Sequence, residues 1–190
     1  MIAIAGPLHL LALVLVVSGF GKLTQPGPAA TAMRDAGLPV PFRGRAVSGI
    51  ALGAVEASIG AVALAVPTWW AAAALGGFYL ALALFVVRLR SRDGDPGCGC
   101  FGASSTPPGT AHLVLNVVAA TVAFAATIAG VPDIVDVFDE GFGVAVPYVL
   151  LLAVGAGTLL IAPALSSQTA RLRTGNVPRT FAPVRAGRTS

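Results

Sequence analysis

The sequence predicts an all-α membrane protein, a polytopic bundle of five transmembrane helices. Of its 190 residues, 56% are hydrophobic and 11% are charged, whereas soluble domains carry about 25% charged residues. Crossing a bilayer takes roughly 20 mainly apolar residues, and a backbone in lipid must satisfy its own hydrogen bonds, which favours helices. The segments that meet this requirement are 2–20, 46–66, 69–87, 110–130 and 143–165.

The first segment and the connections between segments indicate how the chain is organised. The first segment has no Lys or Arg before it and lacks an Ala-x-Ala-like cleavage site, so we expect a retained helix and no signal peptide. The proline-rich connection that follows is expected to carry a short interfacial turn around residues 29–36. Pro67 separates the second and third segments with almost no loop, which predicts an antiparallel hairpin. We expect residues 1–165 to form one transmembrane domain and residues 166–190 a disordered basic tail.

The charges predict an orientation. All twelve Lys and Arg residues lie between the first two segments, after the third segment, or in the tail. Loops rich in Lys and Arg face the cytoplasm. The N-terminus is therefore expected outside the cell membrane, with the loop after the third segment and the tail in the cytoplasm. The net charge of +4 reflects this topology and does not indicate nucleic-acid binding.

The two cysteines of the chain, Cys98 and Cys100, lie in the Gly- and Pro-rich loop between the third and fourth segments. Gly99 between them supplies the flexibility that so small a disulfide ring needs. Strained, exposed disulfides exchange readily, and a cytoplasmic pair is expected to be transient and catalytic. With one pair in the chain, a partner with its own dithiol is implied. Metal binding is less favoured, because structural zinc needs four ligands and only His112 and nearby aspartates are available to join the cysteines.

Four polar residues are candidate binding residues: Glu56, Lys22, His112 and Asn116. Glu56 falls midway along the second segment, where a charge costs on the order of 2.5–3.5 kcal/mol, so we expect it to face the bundle interior with a partner. It would either lock the packing or serve as a proton or ligand site. Lys22 can turn inward towards Glu56, although its position at a helix end favours snorkelling to the interface. His112 and Asn116 share a helix face close to the cysteine loop, whereas His9 is expected simply to be hydrogen-bonded.

Three glycines share the helix face of Glu56, namely Gly49, Gly53 and Gly60. Small residues on one face allow close approach of another helix. In the alternative interpretation of the chain, as a non-enzymatic assembly factor or membrane anchor, this face would bind a partner protein and the cysteines would be dispensable. A third interpretation is a proton or small-molecule carrier centred on Glu56.

Several motifs together resemble the MauE proteins of methylamine utilisation, within the wider DoxX-like membrane group. They are Ser18-Gly19-Phe20-Gly21-Lys22-Leu23 with Pro26, Gly37-Leu38-Pro39, Glu56 in a Gly-rich segment, and Cys98-Gly99-Cys100-Phe101-Gly102. The resemblance implies an inner-membrane protein with a four-helix core, to which the fifth segment is added. It also implies a role in maturation of methylamine dehydrogenase with a thioredoxin-like partner.

The resemblance favours Cys98 and Cys100 as the redox pair, and it suggests shared core positions for Glu56, Lys22 and Asn116. The role implied by the resemblance belongs at the outer face of the membrane, whereas the distribution of Lys and Arg predicts that the cysteine loop lies in the cytoplasm. The sequence thus predicts a membrane thiol-redox maturation protein that exchanges disulfides with a thioredoxin-like protein or another membrane subunit. It identifies no cofactor.

Overall fold

The computed structural model describes residues 2–38, 45–66, 68–91, 110–130 and 134–173, and these ranges are almost entirely helical. The predicted all-α fold class is confirmed for them. The helices, in chain order, are α1 (Ile2–Thr24), α2 (Pro26–Asp35), α3 (Arg45–Ala65), α4 (Trp69–Arg90), α5 (Thr110–Ala129), α6 (Ile134–Asp139) and α7 (Phe142–Arg173).

Within the described residues, four helices are long and apolar enough to cross a membrane: α1, α3, α4 and α5. They confirm the first four predicted segments. In α7 the apolar stretch among the described residues is Phe142–Thr158, and the fifth transmembrane helix stays a prediction. The backbone of α7 continues to Arg173, past residue 165, and the division into a transmembrane domain and a tail also stays a prediction.

Helix α1 lies at the centre of the bundle, where it contacts α2, α3, α5 and α7. Its buried leucines, including Leu8 and Leu15, pack against Leu75 of α4 and the small side chains of Ala119 and Ala123 in α5. Large apolar side chains point outward on the same helices. This arrangement suits lipid, because lipid tails are as apolar as leucine and helices associate there mainly through close packing of small residues.

Helices α1 and α3 run antiparallel with their backbones almost in contact. A Cβ on Gly53 would lie 2.7 Å from the carbonyl oxygen of Gly19, and a Cβ on Gly60 would lie 2.6 Å from that of Ala12. The predicted close approach on the glycine face is confirmed. Its partners are α1 and, at Gly49, α2 of the same chain, however, so the hypothesis that this face binds another protein is wrong.

Helix α2 lies where the sequence predicts a short turn and is ten residues long, while its position at a membrane interface stays a prediction. It packs on the start of α3, since a Cβ on Gly49 would lie 2.2 Å from the carbonyl oxygen of Pro26. After α2 the chain reverses at Gly37, whose φ of +69° favours glycine. The Nε–H of Arg88, near the end of α4, donates to the carbonyl oxygen of Ala36 at 2.7 Å. The C-terminal ends of α2 and α4 therefore lie together at one end of the bundle.

Helix α7 packs against the N-terminal half of α1. The hydroxyl of Tyr148 is hydrogen-bonded to Nδ1 of His9, which is fully buried. Around this pair, Val137 of α6 and Leu152 of α7 form a second apolar cluster. The expectation that His9 is hydrogen-bonded is confirmed, and its partner ties α7 to the four long helices.

Candidate functional site

A buried polar centre lies where the end of α1 meets the middle of α3, and it consists of Ser18, Lys22 and Glu56. The Nζ of Lys22 lies 2.6 Å from Oε2 of Glu56 and donates to Oγ of Ser18 at 2.8 Å. The hydroxyl of Ser18 also donates to Oε2 of Glu56, at 3.2 Å. The exposed fractions of Lys22 and Glu56 are 2% and 0%. Each charge is thus paired inside the protein, as burial requires.

The local sequence explains how these three side chains meet. Ser18 and Lys22 are four residues apart on α1 and so share one helix face. Gly53 lies one turn before Glu56 on α3, and a Cβ there would lie 2.9 Å from Cβ of Lys22. The absence of a side chain at Gly53 therefore lets the stem of Lys22 cross α3 and reach the carboxylate.

The snorkelling favoured for Lys22 by its sequence position is wrong, because its ammonium turns inward. Two features of the tertiary structure explain the difference. Helix α2 contacts α1, and its residues Ala29 and Ala32 line the same cavity as Lys22, which is buried. Glu56 supplies the opposite charge that compensates for desolvation of the ammonium.

The second carboxylate oxygen of Glu56, Oε1, is buried and has no hydrogen-bond partner among the residues that the structure describes. Buried polar atoms of native proteins are generally hydrogen-bonded. A carboxylate oxygen in this state can accept a hydrogen bond or a proton. The polar centre therefore has an unused acceptor in addition to its ion pair.

A narrow pocket of about 20 Å³ extends from this centre between α1, α4 and α5. Lys22, His112 and Asn116 all line it, together with Ser18 and Tyr79. Its volume exceeds the roughly 10–15 Å³ that one water molecule needs. The structure thus places Lys22, His112 and Asn116 around one pocket. Glu56 is not among the lining residues but forms an ion pair with Lys22, which is.

Sequence reasoning missed Tyr79 as part of this site. The hydroxyl of Tyr79 donates to the carbonyl oxygen of Leu11 at 2.7 Å, which fixes the ring at the pocket wall. The available signal was a lone tyrosine within an apolar span, whose hydroxyl requires a partner when it is buried.

Cys98 and Cys100 lie outside the described residues. The helices before and after their loop are described, and they pack antiparallel: Tyr79 of α4 and Asn116 of α5 line one pocket, and Gly76 lies against Phe124 further along. His112 lies in the first turn of α5. The helix ends that flank the cysteine loop are therefore at the same end of the bundle as Lys22 and α2.

Within the ranges that the structure covers, no group of three or more His, Cys, Asp or Glu side chains is placed to hold a metal ion. The buried polar centre combines one cation, one carboxylate, a hydroxyl and a neighbouring imidazole. Such a set can hold a proton or a small polar molecule, and it can fix the relative positions of α1 and α3.

Comparison with known proteins gives one match. A family model described as methylamine utilisation protein MauE matches residues 2–129, which include α1 to α5 and the cysteine loop. No curated protein matches the chain, and no solved structure does.

Proposed function

Because the chain belongs to the family of the methylamine utilisation protein MauE, we propose that it is a membrane thiol–disulfide exchange protein that serves enzyme maturation. It is a multi-pass membrane protein with four long apolar helices. In this proposal Cys98 and Cys100 form the redox pair. A thioredoxin-like protein is the partner, and methylamine dehydrogenase is the enzyme that matures.

The exchange proceeds by two thiolate attacks. A thiolate of the reduced partner attacks one sulfur of the Cys98–Cys100 disulfide, forms a mixed disulfide and releases the other cysteine as a thiolate. The second partner thiol, after losing its proton, attacks the mixed disulfide. The partner leaves oxidised, and Cys98 and Cys100 have gained two electrons and two protons. The reverse sequence reduces the partner by the same steps.

The observation that supports this proposal most directly is the pocket shared by Lys22, His112 and Asn116. It lies at the bundle end where α4 and α5 flank the cysteine loop. His112, in the first turn of α5, is the imidazole nearest to Cys100 along the chain. In the proposed mechanism it takes up the proton when a cysteine becomes a thiolate, since a neighbouring His⁺ favours the thiolate form.

Replacing both cysteines, as Cys98→Ser/Cys100→Ser, is expected to abolish exchange, because serine forms no disulfide. The measurement is the fraction of oxidised thioredoxin-like partner in cells, trapped with acid and resolved by thiol alkylation. Ser104→Ala in the same loop is the matched control and is expected to leave that fraction unchanged. Normal partner oxidation in the double variant would overturn the proposal and favour the non-enzymatic assembly factor.

The proposal places the cysteine loop and the C-terminal tail in the cytoplasm and the N-terminus outside, on the basis of the charge distribution. A membrane-impermeant maleimide is expected to leave both cysteines unlabelled in intact, reduced cells and to label them once the membrane is opened. Labelling of intact cells would contradict this orientation. It would instead place the exchange on the outer face, where the family resemblance points.

A further inference from the structure

A second, larger cavity lies on the other side of Lys22, enclosed by α2, α3 and α4. Its volume is about 170 Å³. The lining is almost wholly apolar and includes Ala32 and Met33 of α2, Leu52 of α3, and Phe78 and Phe85 of α4. Apolar cavities of roughly 150 Å³ take up molecules as large as benzene. This space therefore suits part of a hydrocarbon chain.

Lys22 borders this cavity, but its charged ammonium group is directed away from it. Its ammonium is turned towards Glu56 and Ser18, so its aliphatic stem faces the hydrocarbon side. An occupant held inside the cavity is consequently apolar, and any charged part of it must lie outside. A void without an occupant would forfeit dispersion contacts along the whole lining.

Cationic side chains lie at the end of the cavity where α2 and α4 terminate. Arg34 is in the last turn of α2, next to the cavity residue Met33, and Arg88 follows Phe85 by one turn of α4. Arg88 uses its Nε–H to bind Ala36, which leaves its terminal NH₂ groups for an anion such as phosphate. Among the described residues beside the cavity at this end, the two cations Arg34 and Arg88 outnumber the one acidic residue of α2, Asp35.

We propose that this cavity holds an acyl chain of an anionic phospholipid whose phosphate binds Arg34 and Arg88. Two observations combine to favour this occupant: an apolar space that reaches the surface at the exposed residue Ala81, and cations beside it at the helix ends. Anionic lipid heads attract basic residues at a membrane surface. The lipid would fill the space between α2, α3 and α4 beside Lys22.

Binding can be measured on the purified full-length protein by native mass spectrometry with added phosphatidylglycerol or phosphatidylcholine of identical chains. We expect one phosphatidylglycerol to bind in preference to phosphatidylcholine. Ala81 lines the cavity and is exposed at its mouth. Ala81→Phe should weaken binding about tenfold, because the ring would exclude about two methylene groups of the chain. Ala54→Phe, on the exposed face of α3 away from the cavity, is the matched control and should bind normally.

A second variant, which removes a positive charge, tests the proposal even if Ala81→Phe fails to fold. Arg34→Gln should reduce the preference for phosphatidylglycerol, whereas Arg90→Gln, on another face of α4, should retain it. Equal binding of the two lipids by the unmodified protein would overturn the proposal. So would equal lipid binding by Ala81→Phe and Ala54→Phe, because the lipid would then coat the surface without entering the cavity.

Discussion

Replacing Lys22 by methionine is expected to destabilise the protein by about 3–5 kcal/mol, because it leaves the fully buried carboxylate of Glu56 without its counter-charge. In the structure, the Nζ of Lys22 lies 2.6 Å from Oε2 of Glu56, and both side chains are withdrawn from solvent. Ser18 alone would remain to hydrogen-bond the carboxylate. The measurement is the midpoint of unfolding of the purified protein in detergent on titration with sodium dodecyl sulfate.

The double variant Lys22→Met/Glu56→Leu is the informative comparison. Replacing both members of a buried ion pair with apolar residues is often neutral or stabilising, so the double variant should be more stable than Lys22→Met alone. Arg90→Met, which removes an exposed cation near the same end of the bundle, should change stability little. Equal losses in the single and double variants would show that the two charges are not coupled as the geometry indicates.

The same double variant separates a structural role of the polar centre from a chemical one. If it folds and still supports oxidation of the thioredoxin-like partner, the ion pair only holds α1 against α3. If it folds but loses that activity, Glu56 or Lys22 takes part in the chemistry or in binding. The stability of the purified protein and the oxidation of the partner in cells therefore have to be measured for the same variant.

Replacing Gly53 by leucine is expected to prevent native packing of α1 against α3. A single Cβ at this position would already lie 2.7 Å from the carbonyl oxygen of Gly19 and 2.9 Å from Cβ of Lys22. Backbone atoms cannot rotate away as a side chain can, so the two helices would have to separate. Overpacking ordinarily costs about 1–3 kcal/mol, and leucine adds further atoms to a contact that has no free space.

Folded yield and the unfolding midpoint test this expectation, and Gly77 in α4 provides a matched control. A Cβ on Gly77 meets no atom within 4 Å. Gly77→Ala should therefore stabilise the protein only through the higher helix propensity of alanine, which is worth about 1 kcal/mol in soluble hosts. The expected effects at Gly53 and Gly77 thus have opposite signs. If Gly53→Leu gave a normally stable monomer, the close crossing of α1 and α3 would be wrong.

Residue types and their spacing along the chain were enough to predict much of the buried polar centre. The cost of a carboxylate in a membrane predicted that Glu56 would be buried with a partner, and the glycine spacing on its face predicted a close helix crossing. Both are confirmed. The inward turn of Lys22 was the alternative that this reasoning did not favour, because a lysine at a helix end normally reaches the interface. Here α2 packs beside that end of α1, and nothing local to Lys22 in the sequence indicates this packing.

The sequence by itself determined the all-α class, the four long apolar helices and the family. These features depend on segment length, hydropathy and short motifs, which are local properties of the sequence. Length and hydropathy suffice for the helices because only long apolar segments can cross a bilayer. Only the tertiary structure decided which helix fills the glycine face of α3, that Lys22 pairs with Glu56, and that His112 and Asn116 share a pocket with Lys22. These pairings join residues far apart in the chain. They depend on how α1, α2, α3 and α5 cross one another, which the spacing within any one helix does not specify.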